Sequence, residues 1–167
     1  MIKRSKQDFE KTCNDILTND KFNALKHELH HGISRYDHSL RVARLTYRFT
    51  RFLHMKNAEV ATRAALLHDF YVDGDFNTEK SGVSKLTSHA QIAAKNAKEY
   101  YEIGKLEENI IKSHMFPMKG ELPKYKESWV VSTMDKTAAV YEMCCFKFGL
   151  AINILLLFVF NLITIQR

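Results

Sequence analysis

The sequence predicts an all-α protein, and three observations carry that expectation. Glycine and proline are scarce, six and two among 167 residues. Apolar residues recur at spacings of three and four along most of the chain, the period of a helix with one buried face. Serines suited to N-capping stand where periodic stretches begin.

Taken in order, the first forty residues hold two short helices, about 5–17 and 20–30, the second closed by His30, His31 and Gly32. Ser34 then caps a long helix to about 54, and another runs over about 57–69. Residues 70–86 carry Gly74, Gly82 and several Asp, Asn and Ser, and read as a loop. Ser88 with Gln91 three residues on matches a capping box, so a helix should start there and run to about 102. The next covers about 105–115 and stops before Pro117. "FPMKGELPKYKE" is a loop, and Glu127 or Ser128 opens a helix to about 146. The bundle is then complete: residues 1–146 form the domain, and 147–167 form a separate apolar helix.

A chain of this length suggests one domain and can bury roughly 70% of its unfolded surface. The formal net charge of +6 and sequence pI of about 9.2 favour anionic partners: phosphorylated small molecules, nucleic acid or an anionic membrane face. Three cysteines, Cys13 and the adjacent Cys144 and Cys145, with no C-x-x-C spacing, exclude a disulfide framework and a zinc ribbon. They fit a reducing cytoplasm, and the adjacent pair reads as packing. "MIKRSKQDFEK" lacks the apolar core of a secretory signal.

Chemistry enters with ionisable residues on apolar faces. His38 shares a helical stripe with Val42, Leu45, Phe49 and Phe52, and His68 with Ala61, Ala64 and Ala65; Asp69 follows at the helix end. His89 lies in the first turn of its expected helix, facing with Ile92, Ala93 and Asn96. His114 is in line with Ile103, Leu106 and Ile110, and Asp135 with Val131, Ala138 and Glu142. One such histidine is ordinarily a satisfied core residue. Six such groups need a common compensation, because each unpaired buried polar group costs about 1–3 kcal/mol and buried charges cost more. A metal centre supplies it: four His and two Asp can hold two divalent ions, with one carboxylate bridging. Neighbours about 100° apart at a helix end let His68 and Asp69 approach two ions from one turn.

The ordered set H…HD…D within "YDHSLRVARL", "AALLHDF" and "VSTMDKTAAV" resembles the HD-domain superfamily of metal-dependent phosphohydrolases over roughly residues 30–145. That resemblance implies an HD-domain helical bundle with His38, His68, Asp69 and Asp135 on a first metal. His89 in "TSHAQIA" and His114 in "IIKSHMFP" match the second-metal histidines of dinuclear members, such as bacterial symmetrical diadenosine-tetraphosphate hydrolases. Asp69 is then the bridging, catalytically central ligand. The HDIGK run and GYP triplet of the cyclic-dinucleotide phosphodiesterases are missing, since this chain reads "HDFYVDG". The implied function is hydrolysis of a phosphoester or phosphoanhydride of a nucleotide-like substrate by metal-activated water. Two divalent transition-metal ions (Fe, Mn, Co, Ni or Zn) serve as cofactors. Arg41 and Lys136 are the expected phosphate contacts, with Lys119, Lys124 and Lys126 as a basic border. The alternatives are a di-iron oxygenase on the same fold and a non-catalytic nucleotide-sensing module. Specific nucleic-acid binding is not expected.

Residues 148–165 are 18 consecutive residues without a charge, about 27 Å of helix. All-round apolarity implies membrane or deep burial. The expectation is a membrane anchor on a cytoplasmic domain, with a buried helix or a homodimer interface as the alternative.

Overall fold

The computed structural model describes the backbone of residues 2–30, 32–75, 82–118 and 120–165. Side chains are described over 7–29, 32–72, 74–75, 88–118, 120–154 and 156–157. Among the described residues there are seven α-helices: α1 (Ile2–Leu17), α2 (Asp20–Ala24), α3 (Arg35–Phe52), α4 (Ala58–Leu67), α5 (Gly82–Tyr100), α6 (Lys105–Ser113) and α7 (Lys126–Ile165). A minimal hairpin, β1 (Leu29–His30) with β2 (Ile33–Ser34), pairs antiparallel with Leu29 opposite Ser34.

The central element is α4, which touches α1, α3, α5, α6 and α7. Its sequence, AEVATRAALL, explains how. Ala61, Ala64 and Ala65 are fully buried, and side chains that small let several helices approach one axis. Leu66 and Leu67 fill the remaining space. Phe9, Cys13 and Ile16, at helical spacing on α1, close one side of the core. Arg63 ties α4 to α1 with two bonds to Asp15, 2.6 and 2.7 Å. Asn109 on α6 anchors the chain leading to α7: its Oδ1 accepts from Lys124 N–H at 2.9 Å and from Ser128 Oγ at 2.8 Å. α3 and α7 run antiparallel, because His38 meets Asp135 and Glu142 while Asn57, just past α3, meets Glu127.

Several sequence expectations are corrected. The expected helix over 20–30 ends at Ala24 and gives way to a 3₁₀ turn (Leu25–His27) and the hairpin. Gly32 at φ +85° makes that turn, and Arg35 closes it with its backbone N–H on Glu28 O and its guanidinium on the Glu28 carboxylate, both at 2.9 Å. His31 lies outside the described residues. Ser88 is not an N-cap: α5 already runs from Gly82, so residues 82–86 are helical rather than loop. The apolar spacing Val83, Leu86, Ala90, Ala93, Ala97 is unbroken, and it prevails over the local cap signal. Ser34, by contrast, caps α3, its Oγ accepting from Asp37 N–H at 3.0 Å. Phe49 and Phe52 are exposed, so the His38 stripe is buried only in its first turns. Cys144 and Cys145 are exposed rather than packed, on a part of α7 where every side chain from Met143 to Phe148 is exposed. α7 itself continues without a break from Lys126 through the uncharged stretch.

Ala61→Leu should destabilise the domain by about 1–3 kcal/mol, since no space exists at the crossing of α4 for three more carbons. The urea midpoint followed by circular dichroism measures it; an unchanged midpoint would show that α4 is less tightly enclosed than described.

Candidate metal centre

The six residues singled out from the sequence lie together at the heart of the bundle. His68 and His114 occupy equivalent local positions, each the C-cap of its helix in αR conformation. Each donates Nδ1–H to the carbonyl three residues back: His68 to Ala65 O at 2.8 Å, His114 to Ile111 O at 2.7 Å. A carbonyl only accepts, so each ring carries a proton on Nδ1 and turns Nε2 inward.

Two groups form there. His38, His68 and Asp135 bring ligand atoms within 4.8 Å of one another, and so do His68, Asp69 and His114. One oxygen of Asp135, Oδ1, lies 3.1 Å from His38 Nε2 and 3.5 Å from His68 Nε2. Asp69 turns its two oxygens to two sides: Oδ2 is 3.6 Å from His68 Nε2, while Oδ1 is 3.7 Å from His114 Nε2 and 3.8 Å from His89 Nε2. His89 reaches the cluster from the middle of α5, not from its first turn, with Nε2 3.1 Å from that of His114. Its other face stacks on Tyr71, ring centroids 5.4 Å apart.

The donor set fits divalent metal. Buried His68 Nε2 and Asp69 Oδ1 make no hydrogen bond, although orphaned buried polar atoms are rare and costly. Both are ligand atoms, and both point to the same space.

Electrostatics agree. Burial alone would raise the Asp69 pKa, but His68, His114, His89 and His38 hold it down at about 2. Asp135 is likewise held well below the carboxylate range against the effect of burial, by the hydrogen bond from His38 and by His68, whose Nε2 lies 3.5 Å away. Burial opposes charge on His38, yet hydrogen bonds to Asp135 and Glu142 outweigh it and push the pKa up to about 10. For His68, too, burial is outweighed, here by the charges of Asp69 and Asp135, and its pKa rises. Burial and the charge of His68 push His114 down to about 4, which keeps it neutral.

Glu142 is the residue sequence reasoning passed over. It stood on the same stripe as Asp135, but its role depends on how α3 packs on α7. Its Oε2 accepts Nδ1–H of His38 at 2.9 Å, leaving Nε2 for the cluster, and its Oε1 takes Arg41. A carboxylate behind a ligating imidazole orients the ring and raises its basicity.

Arg41 is therefore engaged with Glu142 and also lies over the Tyr141 ring, centroid 5.4 Å away. Lys136 donates to His114 O at 2.7 Å and Ser132 Oγ at 3.0 Å, and lies 3.7 Å from Asp135 Oδ2. Burial lowers its pKa. It caps the carbonyl end of α6, where a cation is favoured, at the residue that carries His114. Lys124 and Lys126 are exposed, and Lys119 lies outside the described residues. Of the remaining histidines, His27 and His54 are exposed.

A helical bundle enclosing a buried His/Asp cluster fits a divalent-metal centre, as in the metal-dependent phosphohydrolase-type HD-domain superfamily. The HD domain family matches residues 35–140, from the first turn of α3 to just past Asp135, and the chain belongs to that family. Neither the curated proteins nor the solved structures give a match.

Two outcomes follow. Metal binding near neutral pH should expel at least one proton per chain, the one carried by His38, whose pKa without metal lies near 10, well above that pH. Calorimetry in buffers of different ionisation enthalpy counts that proton, and a heat independent of buffer would contradict the charge assigned to His38. Glu142→Gln should weaken metal binding by about 10–100-fold at unchanged helicity, read by competition with a chromophoric chelator.

Proposed function

We propose that the chain is a metal-dependent phosphohydrolase that uses two ions to cleave a phosphoester or phosphoanhydride of a nucleotide-like substrate with water. The observation carrying this reading is Asp69, whose two oxygens address different imidazoles, His68 on one side and His89 with His114 on the other. That is the disposition expected of a carboxylate bridging two ions. Bound divalent ions supply Lewis acidity: a nucleophile at neutral pH and neutralisation of phosphoryl charge.

The chain's own residues do the rest. His38, His68 and Asp135 furnish one set of donors; His89 and His114 furnish the other, with Asp69 between them. Glu142 and the Ala65 and Ile111 carbonyls hold three of the rings in the tautomer that offers Nε2. Arg41 presents further guanidinium N–H groups beside His38 for substrate phosphate, after its bond to Glu142 is counted. Lys136 adds positive charge beside Asp135 while holding the end of α6. Dinucleoside polyphosphates are the substrate class the family resemblance suggests first, and the net charge of +6 suits polyanions of that kind.

A screen of nucleotides, dinucleoside polyphosphates and cyclic dinucleotides with each candidate metal should reveal phosphoester or phosphoanhydride cleavage. Asp69→Ala and His68→Ala should abolish it and remove metal while the helices persist. His89→Ala and His114→Ala should lose one ion of two, seen by elemental analysis. Full turnover in Asp69→Ala would sink the dinuclear reading, and oxygen consumption without hydrolysis in the wild type would favour oxygenase chemistry.

A further inference from the structure

α7 is about 60 Å long by its 40 residues, and its last 18 residues, 148–165, carry no charge. The helix is long and apolar enough to cross a membrane, and almost none of its most apolar window within Lys126–Ile154 is buried. The exposure is not confined to one face. Phe148, Leu150, Ile152, Ile154, Leu156 and Leu157 are all exposed, and at 100° per residue they surround the axis. A single partner helix covers one stripe; a surface apolar all round calls for an apolar medium.

A second feature lies at the root of this stretch. A groove of about 660 Å³ is lined by four cations, Lys26, Arg41, Arg44 and Arg48. Asp37 is its one acidic lining residue among those described, and that carboxylate is engaged by Ser34 Oγ at 2.7 Å. Leu29 and Ile33 of the hairpin give the groove an apolar lip, and Leu29 is 71% exposed. The groove abuts α7 where the uncharged stretch begins. A side-chain carbon at Gly32, which lines it, would lie 3.4 Å from the Phe146 ring, and Arg41 spans to Tyr141 and Glu142. None of the six metal-ligand candidates lines it.

We propose that this protein sits on an anionic membrane, with the apolar part of α7 inserted and the α3 groove holding the phosphate headgroup of an acidic phospholipid. Each feature answers to the other. Insertion of residues 148–165, about 27 Å of helix against a hydrocarbon core of about 30 Å, sets Lys147, Phe146 and Tyr141 at the interface. There, aromatic and basic side chains are favoured. The same depth brings the near end of the groove, at Gly32 and Arg41, to the level of the headgroups. Arg44 and Arg48 follow one and two turns further along α3, away from the bilayer because α3 and α7 are antiparallel, so they face the outer headgroup oxygens. The proposal rests on surface features alone and stands whether or not the chain hydrolyses phosphoesters.

Flotation of the full chain with vesicles of phosphatidylcholine, and with vesicles that also contain phosphatidylglycerol, tests it. The wild type should float with both, and bind the anionic vesicles at least about tenfold more tightly at low salt. Arg44→Glu with Arg48→Glu should keep binding to neutral vesicles, lose the anionic preference, and retain metal content and helicity. Ile152→Arg with Leu156→Arg, both at exposed positions of α7, should lose both kinds of vesicle. A wild type that stays in the aqueous fraction as a discrete dimer without detergent would overturn the proposal and make the apolar stretch a contact between copies. An undiminished anionic preference in the double arginine variant would overturn the assignment of the groove.

Discussion

Two carboxylates and four imidazoles share a space from which water is largely excluded, and the rest of the architecture answers to that charge. Asp69 and Asp135 stay ionised only because imidazoles surround them, and His38 holds its proton only because Asp135 and Glu142 flank it. Removing one member leaves another uncompensated in a low dielectric. The elements around the cluster are correspondingly constrained. α4 must be thin enough for its neighbours to converge, hence its alanines. α4 and α6 must both end at the cluster, so that a histidine at each end can spend its Nδ1 proton on its own last turn. Ser132 and Lys136 hold the carbonyl of His114, and Asn109 holds the start of α7, so the end of α6 and the helix bearing Asp135 keep a set distance.

What could be read from the residues followed from chemistry that is local in sequence. The 3.6 period gave α1, α3, α4, α6 and the first half of α7 within a few residues. The ordered His and Asp positions stood out because ionisable groups recurred on apolar faces, an expensive arrangement that a chain without a shared counter-charge would not sustain. What escaped depended on competition or on distant partners. At residues 82–88 two signals conflicted, a serine cap and a continuing apolar period, and the longer signal won because it offers buried area over several turns. Near residue 30 the histidines and Gly32 marked a stop, but nothing local distinguished a helix end from the hairpin, whose closure needs Glu28 to meet Arg35.

Glu142 illustrates the second kind of blindness. On α7 it is one carboxylate among many, two turns beyond Asp135. Only the antiparallel contact with α3, more than a hundred residues away in sequence, places it behind His38. The adjacent cysteines misled for the opposite reason: a helical pattern suggested packing, but both stand exposed on α7.

The unbroken course of α7 has a mechanical consequence. Asp135, Glu142 and the uncharged stretch belong to one rod, with no glycine or proline between Asp135 and Phe148 to absorb a twist. Torque applied to its far half is therefore delivered to the carboxylates rather than dissipated at a hinge. A side-chain oxygen about 5 Å from the helix axis moves nearly 2 Å for a rotation of roughly 20°, more than the span that separates a well-placed ligand from a useless one. The rod makes the geometry of the centre answerable to whatever grips its far end.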